Sequence, residues 1–294
     1  MTQRPMALER AQATAEGIAF ERAYGLPRAL RDGCFLLEIP PGIDLTPGIE
    51  LCRQFYRPLQ DGPEETRPYR GFRDLEGIYF DREHFQTEHL LIDGPARRQH
   101  FPPDVMAMTE RMHGLAVHVL RTVLTHLGVP GHLWPTITGN AVEGGGIQWF
   151  AANHYRPERA QLGCAPHRDT GFVTVLYIEQ EGLEVRVDGG WAPIEPVPGY
   201  FVVNFGAAFE LLTRPLATPV QAILHRVQHC APSGDADRFS FAAFVNPPAD
   251  GLLYQVHADG TAAAARSSEE FLREFNEKTW SDQYEDFGIS GATA

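Results

Sequence analysis

The chain has 294 residues, 43% hydrophobic and 21% charged, which is ample for a sizeable core in one or two domains. A formal net charge of −13 argues against nucleic acid or an anionic membrane surface as a partner, because both need clustered cations. Lys278 is the one lysine among 25 basic residues; this excludes a Walker-type phosphate loop and leaves no good amine for Schiff-base chemistry.

The segment Met1–Glu16 is polar, mixed in charge and followed by no apolar run, so it predicts no secretory signal. No apolar stretch is long enough to span a bilayer. Cys34, Cys52, Cys164 and Cys230 include no CxxC pair, and the expectation is a cytoplasmic protein with free thiols. Gly25–Asp32 reads as the end of a helix, and Asp32-Gly33 punctuates it. Cys34–Ile39 reads as a buried strand, stopped by Pro40-Pro41-Gly42. Gly48–Leu59 reads as a second helix, and residues 60–100 as loops and turns.

The clearest helix is Asp104–Leu127. Val105, Met108, Met112, Leu115, Val119, Val123 and Leu127 form one apolar stripe, with Pro102-Pro103 before it and Gly128 after it. His113 and His118 within it read as core and surface residues. Beyond Gly131 the pattern changes to short β-type runs separated by turns. These are Gly146–Tyr155, Phe172–Glu179, Gly182–Val187, Trp191–Ile194, Tyr200–Phe205, His225–His229 and Phe239–Val245. Asp188-Gly189-Gly190 predicts a hairpin turn, and Ser267–Trp280 a final helix packed back on the barrel. The expected fold class is α+β: a mixed, helical supporting region at 1–130 and an antiparallel sandwich or barrel with a C-terminal helix at 131–294, forming one compact unit.

Chemistry concentrates at His167-Arg168-Asp169. In an extended segment His167 and Asp169 point to one side and Arg168 to the other. A second imidazole would complete a facial metal site. His225 opens a β-type run downstream and is the best candidate; His229 shares its face by parity and is the rival ligand. Two imidazoles and one carboxylate, with three positions open, suit non-haem Fe(II) and O2 chemistry. An HxD pair alone is more often a hydrogen-bonded surface pair, so its neighbours decide. Arg238 and Ser240 share one face of the next run, and Asn153 and Tyr155 share a face of an earlier one, with Trp149 in phase. A guanidinium, a hydroxyl and a phenol together make a carboxylate receptor. Such a corner, set deeper than the metal, fits 2-oxoglutarate.

With His167-x-Asp169…His225, Arg238-x-Ser240 and Asn153-x-Tyr155 in place, the chain resembles the isopenicillin N synthase-like branch of the Fe(II)/2-oxoglutarate dioxygenases. Gly182-Leu183-x-Val185, Trp191-x-Pro193, Pro198-Gly199-Tyr200, Asn204-Phe205-Gly206 and Asn246-Pro247 also match, as does Thr174–Tyr177. The chain departs from the family at Arg156, where many members have Pro, and in a slightly longer loop from His225 to Arg238 that holds Cys230, Pro232 and Gly234. The resemblance implies a jelly-roll barrel with Fe(II) on His167, Asp169 and His225. It implies 2-oxoglutarate on Arg238, Ser240 and Tyr155 with Asn153 near the metal end, and O2 as the oxidant. The implied reaction oxidises an unactivated C–H bond of a small metabolite, by hydroxylation as the default or by desaturation, cyclisation or ring expansion. Oxidase members of the same fold use the Arg-x-Ser and Tyr positions for the substrate's own carboxylate, without 2-oxoglutarate. The anchor alone leaves that alternative open. A binding barrel without activity and a zinc hydrolase are further alternatives; retention of all three ligands counts against the first, and the lack of HExxH against the second. Trp149, Phe209, Arg70, Arg73 and Tyr79 are the expected substrate contacts, and the arginines suggest a substrate carboxylate. Arginine in place of lysine reads as a GC-rich source genome, which suits specialised metabolism such as antibiotic biosynthesis. The residues carry no signal for oligomeric state.

Overall fold

The computed structural model describes residues 4–231 and 237–279. Pro232 and Gly234 of the lengthened loop, and Trp280 at the expected end of the last helix, lie outside the described residues. In chain order the first elements are β1 (Arg10–Ala13), β2 (Ile18–Phe20), α1 (Gly25–Asp32), β3 (Cys34–Glu38), α2 (Thr46–Gln54), β4 (Tyr79–Asp81) and β5 (Thr87–Ile92). Next come α3 (Gly94–His100), α4 (Pro103–His126), α5 (Trp134–Ile137), β6 (Ile147–Tyr155), β7 (Cys164–His167) and β8 (Val173–Ile178). They are followed by β9 (Leu183–Val187), β10 (Gly190–Pro193), β11 (Tyr200–Phe205), α6 (Ala207–Thr213), β12 (His225–Val227) and β13 (Arg238–Asn246). The last are β14 (Leu252–Val256), β15 (Ala262–Ser267) and α7 (Ser268–Thr279).

The architecture is an α+β double-stranded β-helix. One sheet runs β2-β1-β3-β11-β8-β13-β6-β5-β4, and the second runs β10-β9-β12-β7. β6 and β13 form the central ladder, antiparallel and in register from Arg238 opposite Tyr155 to Asn246 opposite Ile147. Their side chains alternate. Phe150, Phe239, Phe241 and Val245 enter the main core, where the Phe150 and Phe241 rings lie 5.9 Å apart. Helices α2 and α4 cover that face. In α4 the stripe Val105, Met108, Met112, Leu115, Val119 and Val123 is buried as its spacing predicts; each such side chain contributes roughly 1.5–3 kcal/mol by leaving water. A smaller core containing Leu36, Ile178, Val185, Ile194, Val202 and Ile223 fills part of the space between the two sheets. The opposite face of the β6–β13 ladder carries the polar residues discussed below.

The hairpin between β9 and β10 turns at Asp188 and Gly189, with φ of 48° and 80°. Two consecutive positive φ values match a two-residue turn of the primed kind, and Val187 pairs directly with Gly190. Residues 60–100 depart from the loop expectation: they include β4, β5 and α3. The strand β5 alternates Thr87, His89 and Leu91 on one face with Glu88, Leu90 and Ile92 on the other. The polar side chains of Glu88 and His89 break the apolar signature that marks most strands. The polar start of the chain likewise contains a strand, β1, which pairs with β2 and, in parallel, with β3. Strands from before residue 131 therefore belong to the same sheet as the barrel strands.

Candidate active site

The cavity between the sheets has a volume of about 190 Å³. Strands β7 and β12 pair so that His225 lies opposite His167, and the two rings are 4.3 Å apart. Asp169 follows just past the end of β7. Its Oδ1 lies 3.9 Å from His167 Nε2 and 3.7 Å from His225 Nε2. The three ligand atoms fall within 4.8 Å of one another. His229 does not join this group: it lies past the end of β12 and outside the cluster of ligand atoms. Each histidine directs Nδ1 at the carbonyl two residues earlier, Ala165 at 2.8 Å and Ile223 at 3.2 Å. In the neutral ring, donation of Nδ1–H there makes Nε2 the lone-pair nitrogen on the side of Asp169, as a metal ligand requires. Burial and the neighbouring His167 charge push His225 down to about 4. Burial also opposes the charged form of His167, but Cys164 and Asp169 outweigh it and push His167 up to about 9.

Local packing fixes Asp169. Its carbonyl accepts from the Ala207 N–H at 2.7 Å, and Thr170's carbonyl accepts from Ala208 N–H at 3.1 Å, both at the start of α6. Gly206 permits this approach: a Cβ there would overlap the Gly171 carbonyl and lie 3.0 Å from the Asp169 carbonyl. Asp169 Oδ2 is buried with no hydrogen-bond partner.

Across the cavity, Arg238 is buried at the start of β13. Its Nε donates to the Glu181 carbonyl at 2.8 Å, and its guanidinium stacks 4.4 Å above the Tyr155 ring. Tyr155 Oη and Ser240 Oγ are 3.4 Å apart, and Asn153 Nδ2 donates to Ser240 Oγ at 3.3 Å. Burial raises the Tyr155 pKa, so the phenol keeps its proton as a donor. Arg238 Nη1 is buried with no partner, and among the described residues no carboxylate pairs with this arginine. A buried anionic oxygen and a buried cationic nitrogen left unsatisfied are costly. The first fits a cation, and the second a carboxylate. The donor set therefore suits Fe(II) and a 2-oxo acid held between iron and Arg238.

Trp149 lines the cavity. The other expected substrate contacts lie elsewhere. Phe209 is fully buried in the main core, where it meets Phe172 and Phe205 edge-on at 6.0 and 5.9 Å. The helical turn of α6 aims it there, and it does not line the cavity. Arg70 is buried, donates to the Pro63 carbonyl and borders a separate groove of about 480 Å³. Arg73 and Tyr79 both bind Glu88 on the opposite face of β5. Arg156, the departure from the family pattern, is a structural clamp that grips Asp81 through two nitrogens at 2.9 and 2.7 Å. The cavity also includes residues that the motifs do not point to, among them Thr87, His89, Cys164, Asn204, Leu272 and Phe275. Parity with Asn153 would find His89 and Thr87 once β5 is recognised as a strand. Leu272 and Phe275 come from α7 and have no local signal beyond an apolar face.

Residues 146–247 match the family model described as the 2OG-Fe(II) oxygenase superfamily. A 2-oxoglutarate-dependent dioxygenase 19 of Oryza sativa subsp. japonica is 32% identical over 260 residues, covering 81% of this chain and 69% of the rice protein. An oxoglutarate-dependent flavonoid 7-O-demethylase 1 of Ocimum basilicum is 33% identical over 170 residues, covering 56% of this chain and 42% of the basil protein. The chain matches less than half the length of the first curated relatives. Among solved structures, the dioxygenase for auxin oxidation in rice superposes with a TM-score of 0.62 at 25% identity, covering 85% of this chain and 87% of that one.

Proposed function

This chain belongs to the 2OG-Fe(II) oxygenase superfamily, and on that premise we propose that it is an Fe(II)- and 2-oxoglutarate-dependent dioxygenase oxidising an unactivated C–H bond of a small metabolite. The observation that carries this reading is one cavity holding both a His-Asp-His cluster and a buried arginine that meets no carboxylate among the described residues. In this reading His167, Asp169 and His225 hold Fe(II), while Arg238, Ser240 and Tyr155 take the far carboxylate of 2-oxoglutarate. With O2, the bound iron and cosubstrate supply oxidative decarboxylation to succinate and CO2, coupled to C–H oxidation. The chain's own residues bind and orient. The Nδ1–H bonds to Ala165 and Ile223 keep both Nε2 atoms turned inward. Glu181's carbonyl and the Tyr155 ring hold the Arg238 fork in place. Asn153 sets the Ser240 hydroxyl. Leu91, Trp149, Leu176, Phe244, Leu272 and Phe275 give the cavity apolar walls that exclude water and receive an apolar substrate body. Hydroxylation is the default outcome.

For the expected substrate carboxylate we propose Arg168 as the donor in place of Arg70 and Arg73; in support, it is exposed at the cavity and tied through Nε to the Ala222 carbonyl at 2.9 Å. A cytoplasmic role in specialised metabolism such as antibiotic biosynthesis completes the proposal. It is supported by the free thiols of all four cysteines and by the basil relative's action on a flavonoid. Among the described residues no helix is long and apolar enough to cross a membrane.

The test is anaerobic. Protein loaded with Fe(II) and 2-oxoglutarate should show the visible charge-transfer band of a chelated 2-oxo acid, weakened in Arg238→Ala. Iron binding without a band would move the assignment to a 2-oxoglutarate-independent oxidase of the isopenicillin N synthase type, in which Arg238 and Ser240 hold the substrate.

A further inference from the structure

Strand β5 extends the large sheet beyond β6 and turns His89 into the cavity. His89 lies opposite Asn153, which lies opposite Ser240. His89 is thus two strand spacings, about 10 Å, from β13. It occupies the flank that the Arg238 receptor leaves free. Behind it the buried Arg82 places Nη2 3.1 Å from His89 Nε2. Guanidinium nitrogens only donate, so Nε2 accepts and the neutral ring carries its proton on Nδ1. Burial, reinforced by the charges of Arg82 and His167, holds the His89 pKa well below its ordinary value, so the ring is neutral at pH 7. Among the described residues Nδ1–H finds no protein acceptor, since the Arg82 contact is the one hydrogen bond this ring makes. A donor of fixed tautomer, partly open to an otherwise apolar cavity wall, calls for a ligand.

We propose that His89 is a substrate-binding residue whose Nδ1–H donates to a carbonyl or carboxylate oxygen on the small molecule being oxidised. The proposal rests on the dioxygenase reading and narrows its substrate class to apolar molecules bearing such an oxygen. Arg82 acts through His89 as a positioning residue, fixing which nitrogen carries the proton.

The test uses Zn(II)-substituted protein saturated with 2-oxoglutarate. Two neutral probes are titrated by ligand-observed NMR: acetophenone and its oxygen-free isostere α-methylstyrene. Neither carries a carboxylate to compete for Arg238. A donor left unpaired by the isostere predicts that the ketone binds about tenfold more tightly or better. His89→Leu should abolish that preference and leave 2-oxoglutarate affinity within about twofold. His89→Asn, whose amide N–H replaces Nδ1–H, should keep the preference. Nitrogen shifts of ¹⁵N-histidine-labelled protein should show His89 protonated on Nδ1. Equal binding of the two probes, a preference that survives His89→Leu, loss of 2-oxoglutarate affinity in that variant, or a proton on Nε2 would each overturn the proposal. Failure of the wild type to bind 2-oxoglutarate would instead sink the dioxygenase reading.

Discussion

Glu88→Gln tests the polar network behind the receptor strand. The Glu88 side chain is 1% exposed on the face of β5 opposite His89. It accepts from His154 Nδ1 at 2.8 Å, Arg73 Nη2 at 2.7 Å and Tyr79 Oη, with Arg156 Nη1 at 3.7 Å. His154 lies between Asn153 and Tyr155 in the sequence and stacks on Tyr56 at 3.9 Å. Burial alone would raise the Glu88 pKa; the hydrogen bonds from His154, Tyr79 and Arg73 outweigh it and bring the carboxyl from 4.5 to about 2. At 1.36 kcal/mol per pH unit, that difference is about 3 kcal/mol of folding stability at pH 7. The folded-state value lies below the unfolded one. The contribution is therefore complete above about pH 4.5, falls to about 1.5 kcal/mol at pH 3 and is lost as pH drops through about 2. Urea denaturation of wild type and Glu88→Gln at pH 7, 5 and 3 should show the variant less stable by about 3 kcal/mol at neutral pH, with the gap shrinking in acid. A gap below about 0.5 kcal/mol at pH 7, or one that does not close toward pH 3, would refute the electrostatic account and leave Glu88 as a space-filling residue.

Three further outcomes follow from the cavity. Asp169→Ala removes the one anionic ligand and should weaken Co(II) binding by about 100-fold or more, read by calorimetric titration. Because His167 is held protonated up to about 9, metal uptake at pH 7 releases a proton; apparent Co(II) affinity should rise about tenfold per pH unit between 6.5 and 8 and be level above 9. Gly206→Ala forces a Cβ against the Gly171 and Asp169 carbonyls; it should destabilise the fold by about 1–3 kcal/mol, seen by denaturation, and lower metal affinity because Asp169 moves.

Much of the site is legible in the sequence because strand alternation is a strict geometric rule. Parity pairs His167 with Asp169, Arg238 with Ser240, and Asn153 with Tyr155, and the register of β6 with β13 brings Ser240 opposite Asn153 and Arg238 opposite Tyr155. The choice of His225 over His229 cannot come from parity, since both share a face. It comes from β12 ending at Val227, with His225 paired to His167. β5 escapes the sequence pattern for a physical reason. Its polar residues are accommodated by tertiary partners, Glu88 by His154 and Arg73, and His89 by Arg82, and no local propensity reports tertiary partners of this kind. The same blindness makes Arg73 and Tyr79 look like substrate contacts. A buried carboxylate from β5 recruits both to the other side of the sheet. Phe209 is misplaced because motif proximity says nothing of helical phase, and α6 turns it into an aromatic cluster.

Two unsatisfied groups that face the cavity bear on stability as well as on binding. Among the described residues Asp169 Oδ2 and Arg238 Nη1 are buried without partners, so the folded chain bears desolvation that ligands relieve and the unfolded chain does not. Anything that binds only the folded state stabilises it by RT ln(1 + [L]/Kd), about 2.7 kcal/mol at a hundredfold excess over Kd. For a chain of 294 residues that is a rise in Tm of roughly 4–5 °C per saturating ligand. Zn(II) should give the first increment through His167, Asp169 and His225. 2-Oxoglutarate added to the Zn(II) form should give a second. Arg238→Ala should retain the metal increment and lose most of the second, while Asp169→Ala should lose the metal increment and, with it, much of the cosubstrate's. Thermal melts of the three proteins with each ligand in turn provide the measurement. An equal 2-oxoglutarate shift in wild type and Arg238→Ala would mean that the far carboxylate is held elsewhere in the cavity. Arg238 would then be serving the fold through Glu181 and Tyr155 rather than the ligand.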